Sequence, residues 1–175
     1  MRATWTLTSP PGQDAGSADI PVTADFGLLG RQKSVSDQVE VRPLPADRIW
    51  AREAEDSANQ FGSTGLTGCG PCSGAEKVRN IGGSEQAAMV FPDVVVADGG
   101  QHTLHLDYTV NGTRSFQVSV NGGPATKVTV TDTGNTTPRT TSIPVTLKPG
   151  ANTIKISNDT ESAPDLDRLS LGRTT

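Results

Sequence analysis

The chain has 175 residues, with 15 Lys+Arg against 19 Asp+Glu and a formal net charge of -4. That acidic balance argues against nucleic acid, which demands an excess of Lys and Arg on one surface, and no window approaches the roughly 18 to 20 apolar residues of a membrane helix. Only 33% of residues are hydrophobic and 4% aromatic, while Gly (19) and Pro (12) are frequent, a turn-rich composition that points to a soluble all-β protein and away from helical bundles.

Met1 to Thr8 carry no charged leader followed by an apolar run, so no secretory signal is read there. Two cysteines and a Thr/Gly/Pro-rich composition nonetheless fit an extracellular module, expected to be an internal or C-terminal piece of a longer chain. Residues 1–45 read as short extended segments. Trp5 and Leu7 alternate before a break at Pro10-Pro11-Gly12, then Ile20, Val22, Ala24 and Phe26, then Val39 and Val41. So short a stretch buries too little surface to close its own sandwich, and it reads as a β remnant of a second one. Pro43-Leu44-Pro45-Ala46 follows as a stiff linker, which divides the chain into 1–45 and a β-sandwich over 46–175.

From Trp50 the strands become regular. Leu104, Leu106, Tyr108 and Val110 alternate with His105, Asp107 and Thr109, one buried face and one wet face. Phe116, Val118 and Val120 repeat the pattern and end at the tight-turn signal Asn121-Gly122-Gly123. Val128 and Val130, then Ile143, Val145 and Leu147, the turn Lys148-Pro149-Gly150, and Ile154 and Ile156 complete the series. Val94-Val95-Val96 reads as a central strand covered on both sides, and Ser57 to Gly83 as Gly-rich and mostly irregular. Short strands at this spacing predict a two-sheet β-sandwich or jelly roll, with binding expected on its loops.

Among the motifs, Cys69-Gly70-Pro71-Cys72 has the spacing of a thioredoxin-type redox pair, but the strand and helix N-terminus that lower a thiol pKa are missing around it. Zinc would require two more soft ligands, and the chain has no other cysteine. A small disulfide pinning a loop is the plainer reading. Glu53 and Glu55 would share a face on a strand, a pair that suits a hard cation or a glycosidase acid/base couple, or else is a solvated face. Asp165 and Asp167 repeat the spacing near the C-terminus. If first and last strands lie side by side, Asp167 joins Glu53 and Glu55 in an all-oxygen calcium site, with Arg168 as the competing counter-ion. His102 and His105, three apart on a strand, face opposite sides and cannot chelate together. No Ser nucleophile elbow and no phosphate-cradling Gly loop is present.

With these pieces in order, the stretch from Trp50 to Leu171 resembles carbohydrate-binding modules of family 35 and, more distantly, family 6. The carrying segments are A-R-E-A-E-D (Ala51 to Asp56), C-G-P-C-S-G-A-E-K-V-R-N-I-G (Cys69 to Gly82), L-D-Y-T-V-N-G-T-R-S-F-Q-V-S-V-N-G-G (Leu106 to Gly123), L-K-P-G-A-N-T-I-K-I-S-N-D-T (Leu147 to Thr160) and A-P-D-L-D-R-L (Ala163 to Leu169). The resemblance implies a non-catalytic, calcium-bearing sandwich that adheres to polysaccharide. It implies calcium held by Glu53, Glu55, a main-chain oxygen near Lys77, and Asp167, and a loop disulfide between Cys69 and Cys72. It places the sugar at loops bearing Asn80, Asn158 and Glu161, although Asn80 and Glu161 stand where aromatics are common and the loop Asp132 to Pro138 lacks the usual Trp. Loss of stacking shifts the expected ligand to a weaker or more polar one, with uronic acids and galactose-type sugars foremost. The segments D-A-G-S-A-D-I-P-V-T-A-D-F-G and S-V-S-D-Q-V-E-V look like the last strands of an immunoglobulin-like domain of a secreted bacterial glycosidase, whose catalytic domain would lie upstream.

Overall fold

The structure, a computed structural model, describes the backbone of residues 16–24, 33–41 and 47–173. The chain forms two compact units, residues 1–46 and 47–175. In the first, β1 (Gly16–Ala24) and β2 (Lys33–Val41) pair antiparallel from Gly16 opposite Val41 to Ala24 opposite Lys33. The alternating Trp5 and Leu7, the Pro10-Pro11-Gly12 break, Phe26 and the Pro43 to Ala46 linker lie outside the described residues.

The second unit is a sandwich of two antiparallel sheets. Its strands are β3 (Arg48–Glu53), β4 (Gln60–Phe61), β5 (Gly65–Gly68), β6 (Glu76–Arg79), β7 (Met89–Val96), β8 (Gly100–Thr109), β9 (Gly112–Val120), β10 (Thr126–Asp132), β11 (Arg139–Leu147), β12 (Gly150–Ser157) and β13 (Asp165–Arg173). One sheet has the order β10-β9-β12-β7-β4, the other β11-β8-β13-β6-β5 with β3 added on β13. The alternation along each strand directs one row inward, where Phe91, Phe116, Leu104, Leu106, Ile154, Ile156, Leu166, Leu169 and Leu171 are fully enclosed. Each such side chain contributes about 1.5–3 kcal/mol of burial. Tyr108 of one sheet meets Phe116 of the other edge-on, ring centres 6.0 Å apart, a geometry favoured by the ring quadrupoles. Asn121 and Gly122 both take positive φ, 51° and 73°, between β9 and the chain leading to β10, the backbone that a tight hairpin turn demands.

Three local expectations are corrected. Val94 and Val96 are buried but Val95 is 57% exposed, so β7 alternates like its neighbours and presents one face to solvent. The stretch from Ser57 to Gly83 is more regular than its glycines suggest: β4, β5 and β6 lie in it, with a single 3-10 turn at Ser73–Ala75. The outer face of β8 is dry at its end, where Asp107 and Thr109 are buried because Arg168 and Lys77 fold over them.

Candidate functional site

β3 and β13 run antiparallel with Glu53 opposite Arg168, and the Ala54 N–H donates to the Asp167 carbonyl at 2.8 Å. The first and last strands of the sandwich thus bring Asp167 against residues 53 to 55. β3 ends at Glu53, so Glu55 is not two positions along a strand. It sits on a turn, closed by the Asp56 N–H on the Glu53 carbonyl at 3.3 Å and by the Asn59 carboxamide, which donates to the Glu53 and Ala54 carbonyls, both at 2.9 Å. The shared-face argument for the two glutamates therefore does not apply, and the turn brings them together instead.

Each of the three acids holds one buried oxygen without a hydrogen-bond partner: Glu53 Oε2, Glu55 Oε2 and Asp167 Oδ1. Asp167 is only 3% exposed. Desolvation first, then repulsion from Glu53 and Asp167, pushes the Glu55 carboxyl up to about 7 against the opposing pull of its own backbone N–H. Desolvation, with Glu53 and Asp107 adding to it, pushes Asp167 up to about 6. Arg168 makes its ion pair with Asp107, at 2.8 Å, and reaches the Ser73 hydroxyl at 3.3 Å; its charge pulls Asp167 down without overcoming the upward push. Lys77 turns its ammonium elsewhere, to Thr109 Oγ1 at 2.7 Å, the Asn135 carbonyl at 2.9 Å and Asp165 at 3.0 Å. No three His, Cys, Asp or Glu side chains among the described residues close on one point as a finished metal cage. What is present is a largely buried cluster of three acids with an unpartnered oxygen on each.

Cys69 and Cys72 are joined as a disulfide, with a 3-10 turn and no α-helix after it, so the redox-motif context is absent. Sequence reasoning missed the residues that follow. Ser73 donates its hydroxyl to Glu53 Oε1 at 2.7 Å and its N–H to Asp167 Oδ2 at 3.3 Å. Gly74 has φ of 69°, and a Cβ there would collide with Glu55 Oε1. A glycine two residues beyond a C-x-x-C was the available signal.

The sugar-facing residues are partly assembled. The Gly83 N–H donates to the Asn158 and Glu161 carbonyls at 2.8 and 2.9 Å, and Gly82 bridges Ser162, so the loops of Asn80 and of Asn158 to Glu161 lie side by side. Asn80, at φ of 60°, and Glu161 are exposed. Asn158 is 2% exposed and engaged internally: its nitrogen donates to the Ser115 carbonyl and hydroxyl at 2.9 and 3.1 Å, and its oxygen accepts from Thr160 and Glu161 N–H groups at 3.3 and 3.1 Å. It shapes the loop from beneath and presents no free polar atom. Phe61, 39% exposed, is the one largely open aromatic ring among the described residues, and it pairs cross-strand with Met89 on edge strand β4. His102 is buried in the inward row of β8 while His105 lies half-buried on its other face, so the two do not meet.

The two-sheet antiparallel sandwich is the fold of solved carbohydrate-binding modules. A sequence family described as CBM13-like, "Alpha-galactosidase, CBM13 domain", matches residues 88–171. A family 35 carbohydrate-binding module from Clostridium thermocellum is 31% identical, with a TM-score of 0.68 over 71% of this chain and 98% of that one. The chain belongs to carbohydrate-binding module family 35. An exo-beta-1,3-galactanase from Phanerochaete chrysosporium, in complex with beta-1,3-galactotriose, is 27% identical with a TM-score of 0.63. That match covers 69% of this chain and only 28% of the galactanase. A CBM35 from Paenibacillus barcinonensis, 21% identical with a TM-score of 0.64, covers 72% of this chain and all of that one, and shares the fold. No protein of curated function matches the sequence.

Proposed function

We propose that the chain is a calcium-stabilised, non-catalytic module that holds an appended glycoside hydrolase on polysaccharide, with galactose-type or uronic-acid sugars as its ligands. The observation that carries the reading is the family 35 match along nearly the whole of a solved module. The galactanase and α-galactosidase relatives incline it towards galactose-type sugars. An adhering module acts by raising the local concentration of its enzyme at the substrate, without chemistry of its own.

The acidic cluster fits calcium. A hard cation takes about 6–8 oxygen ligands from carboxylates, carbonyls and water, and the three orphaned carboxylate oxygens are donors that otherwise bear a desolvation cost. Glu53, Glu55 and Asp167 would hold the ion, with a main-chain oxygen near Lys77 as the further ligand. The ion would supply structural stabilisation, and acids so engaged are unsuited to act as a glycosidase acid/base couple. We further place the β1–β2 hairpin at the end of an immunoglobulin-like domain of a secreted enzyme, in an oxidising compartment that suits the disulfide.

Affinity electrophoresis through gels containing galactan, arabinogalactan, pectin or glucuronoxylan, with calcium and then with chelator, tests the function. Retardation on at least one gel, weakened by chelator, is the expected result; unretarded migration on all of them would sink it. A second reading is a structural or protein-interaction sandwich that has lost its sugar site. It is favoured by the internal engagement of Asn158 and by a Thr133 to Pro138 loop without a ring.

A further inference from the structure

The Cys69–Cys72 loop closes on itself. Its Cα atoms stand 5.3 Å apart across the disulfide, Cys72 N–H donates to Cys69 O at 3.0 Å, Ala75 N–H to Cys72 O at 3.1 Å, and Cys69 N–H to Ala75 O at 2.8 Å. One covalent link and three hydrogen bonds thus fix the Ser73–Ala75 turn, and that turn touches all three acids. Ser73 binds Glu53 through its hydroxyl and Asp167 through its N–H. Gly74 covers Glu55 so closely that a Cβ would strike the carboxylate, and its φ of 69° is one that glycine adopts without strain. Asp167 supplies the independent sign of a ligand, a side chain 3% exposed with Oδ1 unpartnered.

Building on the calcium reading above, we propose that the disulfide-closed Ser73–Ala75 turn is the lid of the cation site, so that the Cys69–Cys72 redox state and divalent-cation binding are thermodynamically coupled. In the oxidised loop, Ser73 and Gly74 hold the carboxylates in place against their mutual repulsion. Reduction by an external dithiol breaks the S–S bond, delivers two electrons and two protons to give two thiols, and leaves the dithiol as its own disulfide. The turn then regains the conformational freedom that the link had removed, and the acids lose their fixed spacing. The coupling is reciprocal: the factor by which reduction weakens calcium is the factor by which calcium strengthens the disulfide against reduction.

The test uses the intact chain. Calcium affinity is measured by calorimetry on the oxidised protein, on the protein reduced in dithiothreitol, and on Ser73→Ala with its disulfide intact. In parallel, the Cys69–Cys72 redox equilibrium is titrated in mixtures of reduced and oxidised dithiothreitol, with and without calcium, by thiol labelling and mass spectrometry. The expected loss of calcium affinity on reduction is on the order of tenfold, with a matching shift in the redox equilibrium and a weaker affinity in Ser73→Ala. Equal affinity in both redox states, or unchanged affinity in Ser73→Ala, overturns the lid while leaving the calcium reading in place. Absence of calcium binding by the oxidised chain overturns both.

Discussion

Arg168 commits Nε and Nη2 of its guanidinium to Asp107, 3.0 and 2.8 Å from one carboxylate oxygen, and sets Nη1 on the Ser73 hydroxyl at 3.3 Å. Thr140 donates to the other oxygen of Asp107 at 2.6 Å, so the pair of Arg168 and Asp107 is complete without the acids of the cluster. Asp167 and Glu55 are left to repel each other inside the fold, a state that favours an incoming cation.

Asp167→Asn therefore acts with opposite sign in two conditions. In chelator it removes a buried repulsion, and its melting temperature equals or exceeds that of the wild type. In calcium the wild type gains about 2.7 kcal/mol at an ion concentration 100 times Kd, and the variant gains little. Thermal melts in both buffers check this; a variant destabilised equally in both would show that Asp167 has no part in holding an ion.

The pH response of the calcium-free protein follows from the same groups. Folding raises Glu55 from 4.5 to about 7 and Asp167 from 3.8 to about 6. The folded state thus binds protons more tightly than the unfolded one, and the stability present below the unfolded values is lost as pH rises through the folded values. In chelator the melting temperature is expected to fall between about pH 4 and pH 7, less so in Glu55→Gln. In calcium the slope reverses, because protons compete with the ion for the carboxylates. Parallel slopes with and without calcium would contradict the account.

Lys77 staples the Asp132 to Pro138 loop from below through Thr109, Asn135 and Asp165. Its side chain and that of Asp165 are 6% and 13% exposed, so Lys77→Met removes the cation from a largely buried carboxylate and leaves it the Asn135 carboxamide at 2.8 Å. A loss of about 3 kcal/mol is expected, read from urea unfolding, and a loss under 1 kcal/mol would mean that the pair is solvated.

Asn158 and the exposed Asn80 and Glu161 separate by readout. Asn158→Ala removes two donor and three acceptor contacts of one carboxamide and is expected to cost about 2–3 kcal/mol, because buried partners are left unpaired. Glu161→Ala leaves the melting temperature within about 1 °C, since surface changes are nearly neutral, as does Asn80→Gly, which keeps the φ of 60° without strain, while both alter retention on polysaccharide. If all three change stability alike and none changes retention, the loops are structural and the second reading gains.

The sandwich was legible because its signal is local. The inward rows of β8, β9 and β12 stand in the sequence as alternating Leu, Val, Ile and aromatic residues, and the Asn121-Gly122 turn is written in two residues. The acids were legible as pairs, and the pairing of β3 with β13 brings Asp167 to Glu53. The rest depends on contacts between distant residues. That β3 ends at Glu53, that Ser73 reaches across 20 positions to Glu53, and that Arg168 chooses Asp107 across 61 are outcomes of tertiary packing with no local signature. Asn158 shows the converse: a polar residue near a loop reads as a ligand contact until the structure shows it buried.

The most direct test of the central claim is calorimetric titration of the calcium-loaded chain with β-1,3-galacto-oligosaccharide and, separately, with glucuronic and galacturonic acid. The account predicts saturable binding of at least one of them at one site per chain, reduced by Asn80→Gly or Glu161→Ala and weakened when calcium is chelated. Absence of binding heat with every sugar, in a protein whose melting temperature confirms that it is folded and calcium-loaded, would contradict it.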